Sequence, residues 1–352
     1  MVARIVRDDE VAGSSPVIPT IFFGVTFFFV AQSISEKSQL LERSFFVGVN
    51  VLKKILIATV ALAVILIGAG YFVGNYFVNF ALKAPPPATA NIADPNLKAP
   101  PAPNFPSEIW TITSADGFTL HATYYKPAQE SHEWAILVHG YGRDQTFAND
   151  YAEEYLKRGR NVLTPDLRGC GTSEGIYLTM GALESQDLKL WAEKIVERDP
   201  DAKIILHGVS MGAATVMMTA ALEPKNLVAV VEDCGYSSAY EMFTAQLDKI
   251  FGLPEFPIMP IVDVVSRIKT GVAISDAAPI KCVDKISVPI LFIHGDADKL
   301  VPYEMMTKLF DAATSPVKEK FTVEGAGHAD AKSKNPTEYF NRVFKFLSDA
   351  LM

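Results

Sequence analysis

The stretch Lys203-Ile204-Ile205-Leu206-His207-Gly208-Val209-Ser210-Met211-Gly212 decides how this chain is read. Its first four residues supply a short buried strand. A serine then stands between two glycines, and Met211 to Leu222, rich in Ala and Met, stops at Glu223-Pro224 as a helix packed against a sheet should. A tight strand-to-helix turn of this kind strains the serine backbone and holds its hydroxyl clear of the sheet. Bulky side chains two residues to either side would clash there, which is the reason for Gly208 and Gly212. A glycine-x-serine-x-glycine run also occurs in ordinary loops. The strand before it and the helix after it make Ser210 a candidate nucleophile.

Working outward, the chain from Ile109 reads as strands separated by helices. Trp110 to Thr113 and Phe118 to Tyr125 flank the turn Asp116-Gly117 and predict a hairpin. Trp134 to Val138, Asn161 to Thr164, Leu227 to Val231, Val288 to Ile293 and Lys320 to Val323 read as further strands. Between them, Leu188, Trp191, Ala192, Ile195 and Val196 recur at helical spacing, as do Tyr339, Phe340, Val343, Phe344 and Leu347 near the C-terminus. This alternation predicts a mostly parallel sheet covered on both faces by helices. Residues 235–286 interrupt it with a segment rich in Phe, Met, Ile and Pro. Tyr240, Phe243, Leu247, Ile250 and Phe251 form one helical stripe there, and an insertion after the strand that follows the serine helix belongs over the C-terminal ends of the strands. The segment is expected to be a lid over a pocket.

The N-terminal part is of another kind. Ile55 to Gly74 carries no charge over about the 20 residues needed to cross a hydrocarbon core, and Tyr71, Phe72, Tyr76 and Phe77 gather at one end like an interface belt. Residues 51–83 are therefore expected to be a transmembrane anchor. The run exceeds a usual signal-peptide core, and the nearest small-x-small site, Ala88-Thr89-Ala90, is not close, which favours an uncleaved helix. Lys53 and Lys54 precede the run and only Lys83 closely follows, a bias that places the N-terminus in the cytoplasm and the rest of the chain outside it. Residues 1–50 have scattered charges and a shorter apolar stretch, Val17 to Ala31, containing Pro19. They read as an extension upstream of a start at Val51, or as a first, poorly formed span. Residues 84–106, APPPATANIADPNLKAPPAPNFP, are too dense in proline for helix or central strand and are expected to be an extended tether lifting the domain at 107–352 off a bilayer.

A serine hydroxyl needs a positioned base, and an imidazole suits that task near neutral pH. The chain has six histidines. In a sheet of this type the chain order is Ser, then acid, then His, which leaves out His121, His132, His139 and His207. Of the two that remain, His294 precedes the candidate acids, whereas His328 follows a strand in the glycine-rich loop Glu324-Gly325-Ala326-Gly327 and is the expected base. His294-Gly295-Asp296-Ala297-Asp298 supplies the acid that fixes the imidazole tautomer. Asp298 is the first choice, Asp296 the alternative suited to capping the turn, and Asp233 the third. An oxyanion needs backbone donors, for which Met211 N–H and Tyr141 N–H, in His139-Gly140-Tyr141-Gly142 after the Trp134 strand, are the candidates. His139 and the turn Asp166 to Gly171 read as structural, with Arg168 paired to Asp166 or Asp144.

The formal net charge of −8 argues against a nucleic-acid partner, which would require a basic face. The three cysteines, Cys170, Cys234 and Cys282, lie far apart and read mostly as buried thiols, with room for one disulfide outside the cytoplasm. Neither cysteines nor histidines show metal-ligand spacing, and no cofactor is expected.

Taken together, His139-Gly140, the Asp166 to Gly171 turn, Gly208 to Gly212, Asp298 with Val301-Pro302, and Gly327-His328 resemble the α/β-hydrolase superfamily over about residues 109–351. Within it, the chain is similar to bacterial, membrane-anchored members related to the serine-aminopeptidase-like group. The resemblance implies an α/β-hydrolase fold, a Ser210/Asp298/His328 triad and no cofactor. Val209 stands where many esterases and lipases carry histidine, which weakens the analogy with their substrates and leaves the chemistry intact. The reaction expected is cleavage of a carboxylic ester or related acyl bond in a small-molecule or peptide substrate. Peptidase, amidase and acyltransferase activities share the same intermediate, and a non-catalytic binding module is the other class of reading.

Overall fold

The computed structural model describes residues 19–84 and 99–351 of the chain. Most of the proline-rich stretch, with the Ala88-Thr89-Ala90 site, lies outside the described residues, as do the first eighteen. Two compact units divide at Ala69 and Gly70.

The first unit is helical, formed by the greater part of α1 (Pro19–Leu82). The described part of the helix runs from Pro19 and includes the whole of Ile55 to Gly74. It contains a window of mean hydropathy 2.5, none of it buried, in which Ile57, Ile65 and Ile67 are among the exposed side chains. By length and composition it can cross a membrane.

The second unit holds an eight-stranded sheet in the order β1-β2-β4-β3-β5-β6-β7-β8. The strands are β1 (Ser107–Thr113), β2 (Thr119–Tyr125), β3 (Glu133–Val138), β4 (Asn161–Pro165), β5 (Lys203–Val209), β6 (Leu227–Asp233), β7 (Ile290–Gly295) and β8 (Lys318–Val323). β1 and β2 form the expected hairpin, with Thr113 opposite Thr119, and β2 joins β4 antiparallel; the remaining pairings are parallel. All eight strands expected from the sequence form. The helices are α2 (Asn149–Leu156), α3 (Glu184–Arg198), α4 (Met211–Ala220), α5 (Ala239–Phe251), α6 (Glu255–Thr270), α7 (Tyr303–Ala312), α8 (Ala331–Lys334) and α9 (Pro336–Leu351). Along β5, Ile204 and Leu206 enter the core beneath α3 and α4, while Ile205 and Val209 enter the one beneath α2 and α9. A strand buried on both faces needs apolar residues at odd and even positions alike, which is why Ile204-Ile205-Leu206 does not alternate.

Several expectations are corrected. Arg168 pairs with neither Asp166 nor Asp144. Its guanidinium forks onto Asp187 of α3 at 2.7 and 2.8 Å and reaches Asp116 of the hairpin at 2.9 Å. Asp166 instead accepts from the Gln145 and Thr172 amides, each at 2.8 Å, and Asp144 caps the turn that follows it. The cysteines are free thiols, Cys170 and Cys234 buried as expected and Cys282 partly so, with no disulfide among them. Within the second unit, the Leu82 carbonyl at the end of α1 accepts from Leu178 N–H at 2.7 Å and Ala84 N–H donates to the Ile176 carbonyl at 2.8 Å.

The Arg168–Asp187 pair is buried on both sides, so removing one partner leaves an uncompensated charge. Burial, opposed by Arg168, pushes Asp187 up to about 6. The variant Arg168→Met is expected to lose about 3–5 kcal/mol of stability by urea denaturation, and a loss no larger than that of a surface pair, about 1 kcal/mol or less, contradicts the assignment.

Candidate active site

Ser210 is the residue between β5 and α4, and its backbone lies at φ 57°, ψ −116°. Few residues with a side chain adopt a positive φ, so the surrounding packing must hold it there. A Cβ on Gly208 would collide with the Gly212 carbonyl, and one on Gly212 with the Val138 carbonyl at the end of β3. The two glycines let strand, turn and helix close on one another, and Ser210 N–H is fixed by the Asp233 carbonyl at 2.8 Å.

From this turn a chain of hydrogen bonds runs across three loops. Ser210 Oγ lies 2.8 Å from His328 Nε2, and His328 Nδ1 lies 2.7 Å from Asp298 Oδ2. The other carboxylate oxygen of Asp298 accepts from the Leu300 and Val301 amides at 2.8 and 2.9 Å. Burial raises the affinity of Asp298 for a proton, but the hydrogen bonds from His294 and His328, the His328 charge and the Val301 N–H outweigh it and hold the carboxyl well below its usual range. It is a carboxylate throughout the neutral range.

The alternatives to Asp298 have other partners. Asp296 accepts from Gly325 N–H at 2.6 Å, joining the loop after β7 to the loop that carries His328. Asp233 accepts from the Tyr339 hydroxyl at 2.9 Å and is pushed up to about 6 by burial. His139 is structural, as its position suggests. Its Nδ1 donates to the Gly140 carbonyl at 2.9 Å and its Nε2 accepts from Leu167 N–H at 3.1 Å, a neutral tautomer that burial favours. His207, between the hydroxyls of Tyr155 and Tyr339 at 3.0 Å each, is driven down to about 3 by burial.

Two groups escaped the sequence reading. His294, set aside because it precedes the acids, has Nε2 2.9 Å from the Val301 carbonyl and 3.3 Å from Asp298 Oδ2. Burial lowers its basicity, yet Asp298 and Glu232 together raise it above the ordinary value. Glu232 at the end of β6 is fully buried, accepts from Gly235 N–H at 2.9 Å, and is pushed up to about 8 by that burial. The spacing His294-x-x-x-Asp298 at a strand end was the available signal for the first. Nothing in the local pattern marked the second.

Above Ser210 is a cavity of about 450 Å³. Tyr141 and Met211 flank the serine; Phe243, Leu247 and Phe251 of α5 and Met259 and Val262 of α6 form much of the remaining wall. Gly140 brings its backbone against the serine, where a Cβ would lie 3.3 Å from that of Ser210. The N–H groups of a first helical turn have no partner inside the helix, so Met211 N–H is available at the turn. A metal is poorly served here. Cys234, Asp298 and His328 bring one donor atom each within 4.8 Å of one another, but the last two are engaged in the hydrogen-bond chain and burial keeps the Cys234 thiol protonated.

A serine set at a sharp strand-to-helix turn, joined to a histidine and a carboxylate from later loops of a mostly parallel eight-stranded sheet, defines an α/β-hydrolase. The chain has that fold and is a hydrolase. More particularly, residues 129–240 match the family model described as serine aminopeptidase, S33. The chain is 27% identical to the uncharacterized protein YqkD of Bacillus subtilis, over 68% of this chain and 79% of that protein. It is 25% identical to human monoglyceride lipase, over 66% of this chain and 86% of the lipase. Among solved structures it is similar to an esterase of Pyrococcus furiosus, with TM-score 0.58, 25% identity, and coverage of 70% of this chain and 94% of the other.

The raised Glu232 has a measurable consequence. A carboxyl whose folded pKa is about 8, above the ordinary 4.5, contributes stability that is complete at acid pH and is lost as pH rises through the folded value. Glu232→Gln, which keeps an acceptor for Gly235 N–H, is expected to flatten that dependence. The melting temperature of the wild type should fall relative to the variant between about pH 5 and pH 9, and parallel curves would refute a protonated Glu232.

Proposed function

We propose that the protein is a serine hydrolase that cleaves a carboxylic ester through an acyl-enzyme. The observation that carries this reading is the unbroken sequence Ser210 Oγ, His328, Asp298 at the floor of an apolar cavity. As Oγ attacks the ester carbonyl, His328 Nε2 takes its proton, and the imidazolium is stabilised by Asp298, which also fixes the ring tautomer through Nδ1. The oxyanion is received by Met211 N–H and Tyr141 N–H; each such donor contributes about 10²–10³ in rate. His328 then gives its proton to the leaving alcohol and activates water for deacylation, which regenerates the serine. His294 Nε2 lies 3.3 Å from the same Asp298 oxygen and helps to hold it.

The cavity supports an ester over a peptide. None of its described lining residues carries a charge, so no carboxylate is at hand for the α-ammonium group an aminopeptidase must bind. The names of two relatives, a monoglyceride lipase and an esterase, point the same way. The segment 235–286 acts as a lid. The protein is anchored by α1, with the catalytic unit on the extracytoplasmic side as the lysine bias implies. Ile250, Phe256, Val264 and Ile268, exposed on α5 and α6, fit a surface held against lipid.

A fluorophosphonate probe is expected to label the wild type and not Ser210→Ala. Asp298→Asn should remain folded and lose about 10³–10⁴ in kcat on p-nitrophenyl esters. Equal labelling of Ser210→Ala, or turnover unaffected by Asp298→Asn, would sink the assignment.

A further inference from the structure

α1 continues past its apolar run into the catalytic unit. Its segment from Gly70 to Leu82 belongs to the second unit, and Val78 and Leu82, one turn apart, are fully buried in the core. Gly74 makes the approach of α6 possible, since a Cβ there would lie 2.6 Å from Val265 Cγ2. Asn79 accepts from Lys269 at 2.8 Å and from the Tyr177 hydroxyl at 3.0 Å. These contacts fix the rotation of the helix about its own axis.

That rotation turns another face toward the serine. Phe77, Phe80 and Ala81 stand three and four residues apart, on one side of the helix, and line the same cavity as Ser210. The lid rests on them as well: the Phe251 ring meets Phe77 edge-on at 5.3 Å and Phe80 at 5.5 Å between centroids. The final carbonyls of a helix have no partner within it, and here the Ala81 carbonyl accepts from the Tyr141 hydroxyl at 2.9 Å. The backbone N–H of that tyrosine is the proposed oxyanion donor.

We infer that the end of α1 is part of the substrate site: Phe77 and Phe80 are specificity-determining residues that bound the space for the substrate's apolar chain, and the Ala81 carbonyl positions the oxyanion loop through the Tyr141 hydroxyl. The inference rests on the reading of Ser210 as nucleophile. It makes the apolar helix more than an attachment, because the anchor carries its own portion of the pocket and fixes the length of chain the pocket takes. Tyr141 is a positioning residue in its side chain.

The test uses the full chain in detergent micelles with a series of p-nitrophenyl esters from acetate to palmitate. Enlarging the pocket by Phe77→Ala is expected to shift the preferred acyl length upward by about two carbons, and filling it by Phe77→Trp to shift it downward, with kcat/KM ratios between long and short esters changing about tenfold. Loss of stability alone cannot move the optimum in opposite directions. Phe72→Ala, an exposed position of the same helix, should leave the profile as in the wild type. Tyr141→Phe, which keeps the backbone donor and removes the hydroxyl, should lower kcat about tenfold at every acyl length with KM unchanged. Wild-type profiles in both Phe77 variants, or an equal shift in Phe72→Ala, would overturn the pocket-wall assignment, and an unaltered kcat in Tyr141→Phe would overturn the positioning role. If Ser210-dependent probe labelling persists through such a result, the inference fails alone; if no ester is cleaved and labelling does not require Ser210, the underlying reading fails.

Discussion

Everything at the site depends on the contact of three backbones at Gly208 and Gly212. β5 runs to Val209, α4 begins at Met211, and β3 ends beside them at Val138; only residues without a Cβ allow carbonyls to come so close. The strain at Ser210 is maintained by this packing and by the Asp233 carbonyl. The hydroxyl thereby projects from the sheet edge toward the loops after β7 and β8, where Asp298 and His328 lie 2.7 Å apart. Remove the close approach and the serine relaxes away from its partners without any change in the partners themselves.

The second constraint is electrostatic. β6 and β7 deliver Glu232, Asp233 and His294 into a fully buried layer, with His294 3.3 Å from Asp298. Three carboxyls cannot all ionise cheaply there, and the environment separates them. Burial raises Glu232 to about 8 and Asp233 to about 6, while two histidines and two backbone amides keep Asp298 charged. The proton is thus held away from the carboxylate that meets His328 Nδ1. His294 contributes by bridging Asp298 and the Val301 carbonyl.

Much of this was legible in the sequence because it is written in local patterns. All eight strands follow from apolar runs bounded by turn residues, Ser210 stands out by its flanking glycines between strand and helix, and chain order narrows the histidines; among Asp298, Asp296 and Asp233 the sequence leaves a choice, and it is Asp298 that lies 2.7 Å from His328. What was not legible depends on contacts between residues distant in sequence. Arg168 finds Asp187 and Asp116 because a hairpin and a helix converge on its turn, and nearby acids offered the sequence reader the wrong partners. Glu232 looks like an ordinary polar strand end until β7 covers it. The end of α1 reads as the terminus of a span, since nothing in Phe77 to Leu82 distinguishes a lipid-facing stripe from a cavity wall; the packing of Gly74 against Val265 and the Tyr141 bond to Ala81 join residues far apart in sequence.

In the proposed reaction an acyl group passes through Ser210 Oγ on its way from ester to water. Intact-protein mass spectrometry after rapid quenching, with an ester chosen for slow deacylation, is expected to reveal an adduct of the acyl mass that maps to the peptide containing Ser210 and decays at the turnover rate. Steady hydrolysis with no adduct on that peptide would rule the acyl-enzyme out.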